Sequence, residues 1–464
     1  MKLHHVFGLS LAILCSLTLC GQVSAQDNGG GDDEDPPFSQ PIAGVEIDAS
    51  GVLRTTRLDP RIAQERMMAA RQARNAEVMQ PSQLRKVSLT RLEQAVAEAI
   101  ERGERPSDEM LSMAGLTGIQ YVFFYPESRD IVVAGPAEGA FRDPMGRYLG
   151  LKTGQPIVQL EDMVTALRAY APGTKPTSVI SVSIDPTPEG LARMQQFLAS
   201  VRGRVQPGDA RVLANALKQN LGLQTVTLKG VPQATNFARV LVEADYRMKL
   251  IGIGLERLPI PMQSYVERST AAQGSANAME RWYFVPNYEG VTVSEDGLAM
   301  KLNDRGVKLV GESERVDGAG NRAGGGRVNR ASEAFCSDFT KNYAAIAERV
   351  PVYAELRNLI DASIAAAYIQ QQDFYGQAEW SLAVFGDESR FPIETHGAPA
   401  QVETAVNAVW KGNTLLTPLG GGIHMQPRQA LRSDRLTSET DGASDAVKQL
   451  AAPAHLAEGQ WWWD

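Results

Sequence analysis

The chain has 464 residues, a formal net charge of −8 and 43% hydrophobic residues. That much apolar material supports a large core, while the acidic balance argues against nucleic acid as a partner, because a phosphate backbone is met by clustered Lys and Arg. Of three cysteines, two lie in an opening stretch that reads as removable, which leaves Cys336 alone and excludes an internal disulfide.

Lys2, the apolar or small residues 6–19 and the small-residue site Val23-Ser24-Ala25 follow the order of a cleavable signal peptide, 1–25, with cleavage predicted after Ala25. The run is shorter than the roughly 18–20 residues a spanning helix needs. No later stretch qualifies, so a secreted or periplasmic protein with no transmembrane segment is expected. Leu19 before Cys20 departs from the small residue a lipid-attachment box requires. Residues 26–40 turn from Gly-rich to acidic to Pro-rich and read as a flexible linker.

Residues 41–175 read as helices plus a hairpin. The stretch 61–79 lacks Gly and Pro and predicts a helix, its Arg61, Arg66, Arg71 and Arg74 interleaved with Glu65 and Glu77 as a solvated face. Thr90 and Glu93 have capping-box spacing ahead of Val96 and Ile100, predicting a second helix to Gly103. Residues 119–125 and 130–134 are β-branched and aromatic runs around Pro126-Glu127-Ser128-Arg129, a hairpin pattern. Leu160, Met163, Val164 and Leu167 return to the helical period.

Residues 176–310 predict two strand–helix units and a β-meander. Ile180, Val182 and Ile184 alternate ahead of a helix carrying Leu191, Met194 and Phe197; strand 223–228 precedes a helix with Phe237, Val240, Leu241, Ala244 and Met248 on one face. Short strands follow at 282–285, 291–293, 298–302 and 307–310, separated by turn residues. Residues 311–330 read as a mobile Gly-rich loop. In 331–426, a helical pair broken at Pro351 precedes a strand at 380–385, a short helix at 402–410 and a strand pair at 414–425. Residues 427–464 form a polar tail, without a large apolar face until Trp461, Trp462 and Trp463, and loose structure is expected there. The fold class is α+β with mixed α/β layers.

The strings Val133-Ala134-Gly135-Pro136-Ala137-Glu138-Gly139, Glu243-Ala244-Asp245-Tyr246-Arg247-Met248-Lys249 and Trp282-Tyr283-Phe284-Val285-Pro286, with the helices after Ser332, resemble a family of secreted planctomycete proteins bearing a domain of unknown function, number 1598, a likeness that would cover most of residues 60–430. The resemblance implies a bacterial exported protein and carries over no catalytic residue.

Chemistry-bearing residues are few. Phe335-Cys336-Ser337-Asp338 looks like the Asp-Cys-Ser-Gly motif of cell-wall cysteine peptidases, but Phe335 and Asp338 stand where that motif has Asp and Gly. Cys336 with His396 or His424 as base is the candidate hydrolase pair, although a cysteine between phenylalanines is usually a small core hydrophobe. His396 and His424 with Asp387 and Glu394 are the candidate zinc set, although no ligand pair has the spacing of a zinc helix. Gly252-Ile253-Gly254 lacks the third glycine of a dinucleotide fingerprint, so no cofactor is expected. The indoles of Trp461, Trp462 and Trp463 suit an envelope or protein interface as well as packing on their own domain. A non-enzymatic binding or envelope-associated module leads, with a cysteine hydrolase and tail-mediated assembly as alternatives; the partner itself is unknown.

Overall fold

The computed structural model describes residues 42–464 apart from 58, 73–76, 202–205, 271–277, 287–289, 304–305, 317–321, 325–328, 408, 412–413, 417–421, 440–441, 450–452 and 454–455. The signal and linker expectations lie outside the described residues. Helices and mixed sheets together make the fold α+β.

Two sheets carry the architecture. The nine-stranded sheet runs, in spatial order, through Gly44–Ile47, Val52–Thr56, Gln401–Val402, Gln224–Lys229, Ile180–Pro186, Gly422–Met425, Ala278–Pro286, Val307–Val316 and Arg322–Gly324. The seven-stranded sheet runs through Leu436–Ser438, Val291–Val293, Ala299–Leu302, Tyr121–Tyr125, Asp130–Ala137, Ser82–Ser88 and Trp462–Trp463. The predicted hairpin forms as read, Tyr121–Tyr125 against Asp130–Ala137. The two strand–helix units put their strands side by side and antiparallel, Ile184 opposite Val226. An additional helix, Ala210–Leu221, lies between them, and its Leu213, Leu217 and Leu221 bury against Leu191 and Met194 of Pro188–Val201.

The helix Asn236–Gly252 occupies the centre, and every residue along it is buried. Its apolar face follows the predicted 3.6 period, yet the opposite faces are covered too. It ends where Trp282 lies across Gly252: a Cβ there would sit 2.3 Å from the indole, so this crossing needs glycine. Alongside runs Pro351–Gln371, with Pro351 in its first turn as the sequence predicts.

Several local expectations change. The four strands read as a meander divide between the sheets: Ala278–Pro286 pairs with Val307–Val316, while Val291–Val293 and Ala299–Leu302 pair with each other and join Tyr121–Tyr125. The strand from Val307 continues to Val316 and pairs with Arg322–Gly324 inside the stretch read as a mobile loop. Leu89–Glu101 is capped by Ser88, not by Thr90, and Glu93 is freed for a different task. Residues 380–385 form turns instead of a strand, because Leu382 takes a positive φ of 55° and the buried Glu93 carboxylate accepts the N–H groups of Val384 and Phe385 that a strand partner would take. The short helix expected at 402–410 is replaced by strand Gln401–Val402, held between two neighbours, and Thr404 donates its hydroxyl to Gly222 O. Thr414–Leu416 pairs with Val409–Lys411, whereas Gly422–Met425 joins the nine-stranded sheet. The polar tail contains helix Pro427–Ala430, strand Leu436–Ser438 and helix Ala443–Gln449. Val447 and Leu456 lie with Trp463 over Phe123, Tyr125 and Val132, so this tail covers the outer face of the seven-stranded sheet.

Candidate functional site

A cavity of about 420 Å³ opens beneath the helix Pro60–Gln72, beside strands Ala140–Arg142 and Tyr148–Gly150 and the short helix Asp108–Leu111. Ala69, Ala70, Val78, Met79 and Phe141 supply apolar lining, and Arg66, Arg142, Asp108, Glu109 and Tyr148 supply the polar groups. Two main-chain bonds hold the covering helix: Arg66 Nη1 donates to Asp143 O at 3.0 Å and Arg71 Nη2 to Leu151 O at 2.6 Å. The rest of this helix is largely exposed, including Ile62 and Met68.

The cavity's polar groups are not equally available. Tyr148 donates its hydroxyl to Asp108 Oδ1 at 2.9 Å, and burial followed by that bond pushes the phenol pKa up, keeping it a donor. Glu109 accepts from the Trp462 indole. Each carboxylate thus has one oxygen engaged by a neutral donor. Arg66 spends only Nη1, and Arg142 only Nε, on Gly146 O at 3.2 Å, in bonds among the described residues. Both side chains are exposed, and the Arg142 guanidinium lies 5.8 Å from the Tyr148 ring centroid. The lining thus sets unspent guanidinium N–H groups beside two carboxylates that each give one oxygen to a neutral donor, above an apolar floor, the pattern of a ligand pocket with a few placed polar groups.

A second set of charges lies inside the fold. Arg147 donates Nε to Glu355 at 2.8 Å, Nη1 to Ala43 O at 2.9 Å and Nη2 to Glu243; Arg247 donates to the other oxygen of Glu243 at 3.2 Å and to Glu256 at 2.7 Å. All five side chains are buried. Burial alone would raise the Glu243 carboxyl, but Arg147, Arg247 and Arg239 outweigh it and bring it below its ordinary range. Two residues on, the helix turns its other charges to the nine-stranded sheet: Lys249 Nζ donates to Ile184 O at 2.9 Å and lies 3.4 Å from Asp245. Burial lifts the Asp245 pKa to about 6 against the pull of Lys249. These pairs bolt the central helix to Pro351–Gln371 on one side and to a strand on the other.

The residues singled out from sequence lie elsewhere. Cys336 is buried among Phe335, Phe339 and Trp282. Burial, then Glu280, pushes its thiol up to about 12, opposite to what a thiolate nucleophile needs. His396 Nε2 lies 2.9 Å from Glu161 Oε2, and its main-chain N–H donates to Ala234 O. His424 points away from the buried Ile423 and Met425, is exposed, and meets Gln426 at 3.0 Å. Asp387 accepts from Ser389, and Glu394 is exposed. Bonds among the described residues bring none of Cys336, His396 and His424 together. No group of three His, Cys, Asp or Glu there could hold a metal ion. Trp461 and Trp463 are buried, and Trp462–Trp463 pairs with Ser82–Ser88, so the tryptophans pack on this chain's own sheet.

Of the cavity residues, Arg66 stands out in the sequence, as part of a solvated helix face. Nothing in local spacing marks Arg142, Tyr148 or Asp108 as its neighbours. Residues 182–265 match the family model described as "Protein of unknown function (DUF1598)". The matched stretch contains Glu243, Asp245, Arg247 and Lys249 of the buried network. No curated protein and no solved structure matches the chain.

Proposed function

We propose that this chain, which carries the domain of unknown function 1598 over residues 182–265, is an exported, non-enzymatic binding module whose ligand is a small anion with an apolar body, held beneath the helix Pro60–Gln72. The carrying observation is how the cavity's polar groups are spent: one oxygen each of Asp108 and Glu109 is bonded to Tyr148 and Trp462, while bonds among the described residues use only Nη1 of Arg66 and Nε of Arg142, beside Ala69, Val78, Met79 and Phe141. The buried, proton-holding thiol of Cys336 supports a binding reading over the cysteine hydrolase. Export rests on the order of residues 1–25.

The test uses anilinonaphthalene sulfonate as probe, an aromatic body bearing one sulfonate. Saturable one-to-one binding is expected, weakened about tenfold or more in Arg66→Ala/Arg142→Ala and by added salt. Unchanged probe affinity in the double variant would remove the cavity from consideration.

A further inference from the structure

Arg85 lies in the strand Ser82–Ser88 with its side chain wholly buried. A guanidinium has five N–H groups, and each is assigned. Nη1 donates to Val78 O at 3.0 Å and Ala114 O at 2.8 Å, and Nη2 donates to Gln80 O at 3.0 Å. The remaining two form a fork on one carboxylate, Nε to Asp464 Oδ1 at 2.8 Å and Nη2 to Asp464 Oδ2 at 3.0 Å. Three main-chain carbonyls thus fix the plane of the fork without any help from Asp464. The Trp462 ring covers the guanidinium at 4.5 Å.

The backbone beside this fork is a sheet edge. Trp462 pairs with Val87 and Trp463 with Lys86, and Ser88 N–H donates to Trp461 O at 2.9 Å. Alternation then sorts the side chains: Trp463 enters the cluster of Phe123 and Val132, while Trp462 and Asp464 turn to Arg85. The preceding residues 457–460 are exposed. The docked piece is therefore four residues long, held by strand addition, three indoles and one bidentate charge pair.

We infer that the edge of Ser82–Ser88 with Arg85 is a preformed strand-addition site for extended peptide segments carrying an aromatic residue two positions before a carboxylate, and that residues 461–464 are its resident, exchangeable ligand. Recognition divides into parts: main-chain pairing supplies register, the Arg85 fork reads the carboxylate, and Trp462 closes over the guanidinium. Trp462 also donates to Glu109 in the neighbouring cavity, so occupancy of the edge fixes one of that cavity's polar groups.

The experiment is anisotropy titration of a fluorescein-labelled peptide of residues 457–464 into the protein truncated after Gln460. Saturable binding is expected, at least tenfold weaker for the peptide carrying Asp464→Asn and for truncated protein carrying Arg85→Lys, whose ammonium has no fork. A folded truncated protein that binds no peptide at millimolar concentration, or binds both peptides equally, overturns the inference. Should the truncated chain not fold, hydrogen exchange on the full chain decides: Asp464→Asn is expected to speed amide exchange at 462–463 at least tenfold while Tyr121–Tyr125 keeps its protection. Unchanged exchange at 462–463, or equal acceleration at both places, overturns it.

Discussion

Replacing Arg147 with methionine keeps an apolar stem of similar length and removes the guanidinium that joins Glu243 to Glu355. Glu243 would keep Arg247, at 3.2 Å. Glu355 would keep no ion-pair partner among the described residues: Oε2 loses the Arg147 bond, and Oε1 already has no hydrogen-bond partner there. Removing one partner of a buried pair leaves an uncompensated charge and costs about 3–5 kcal/mol, a large part of the roughly 5–15 kcal/mol that separates folded from unfolded chains. Urea unfolding followed by far-ultraviolet circular dichroism measures the loss. Adding Glu355→Gln should return part of it, because the orphaned group is then neutral, and the cycle should show coupling of about 0.5–3 kcal/mol. A loss under about 1 kcal/mol for Arg147→Met, the scale of an exposed pair, would refute the argument, since water would then be reaching these carboxylates.

Two further outcomes follow from single buried groups. Burial first, then the charge of Glu161, hold the Asp162 carboxyl well above its ordinary value against the Asn236 amide bond. The folded state therefore binds the proton more tightly, so this group's contribution is full below the ordinary carboxyl pKa and declines as pH rises towards the folded one. Melting temperature measured from about pH 4 to 8 should fall less steeply in Asp162→Asn than in the parent chain; parallel curves would count against it. Cys336, with its thiol held protonated up to about 12, should resist a disulfide reagent until urea unfolds the chain. Cys336→Ala should cost only about 1 kcal/mol, the scale of one buried methylene; rapid labelling of the native protein would contradict the packing described.

Local chemistry was readable where neighbours in sequence are neighbours in space. The pair Tyr121–Tyr125 and Asp130–Ala137 closes on its own turn, and Pro351 begins a helix by its own geometry. The alternation at 380–385 misleads because Glu93, far back in the sequence, supplies the acceptor that bends the chain. The meander misleads similarly: each turn signal is real, but Phe284 finds its antiparallel partner at Leu309, across two strands that belong to another sheet. The central helix shows the same limit in its charges. Glu243 and Arg247 have the i, i+4 spacing of a solvated pair, and nothing in that spacing announces Arg147, distant in sequence, which shares Glu243 inside the fold. The cavity residues Arg66, Asp108 and Tyr148 come from three separate elements for the same reason.

The covering of the seven-stranded sheet bears on how the protein is made. Leu436–Ser438 seals one edge and Trp462–Trp463 the other, while Val447, Leu456 and Trp463 lie over Phe123, Tyr125 and Val132 between them. Those aromatic strands leave the ribosome some three hundred residues before their cover does, at about 5–20 residues per second. For that interval an apolar face and two unpaired edges stand open, the surfaces through which nascent chains aggregate. Making residues 436–463 thus sets the moment at which this sheet can be covered, and a chain cut before Leu436 is expected to aggregate through it.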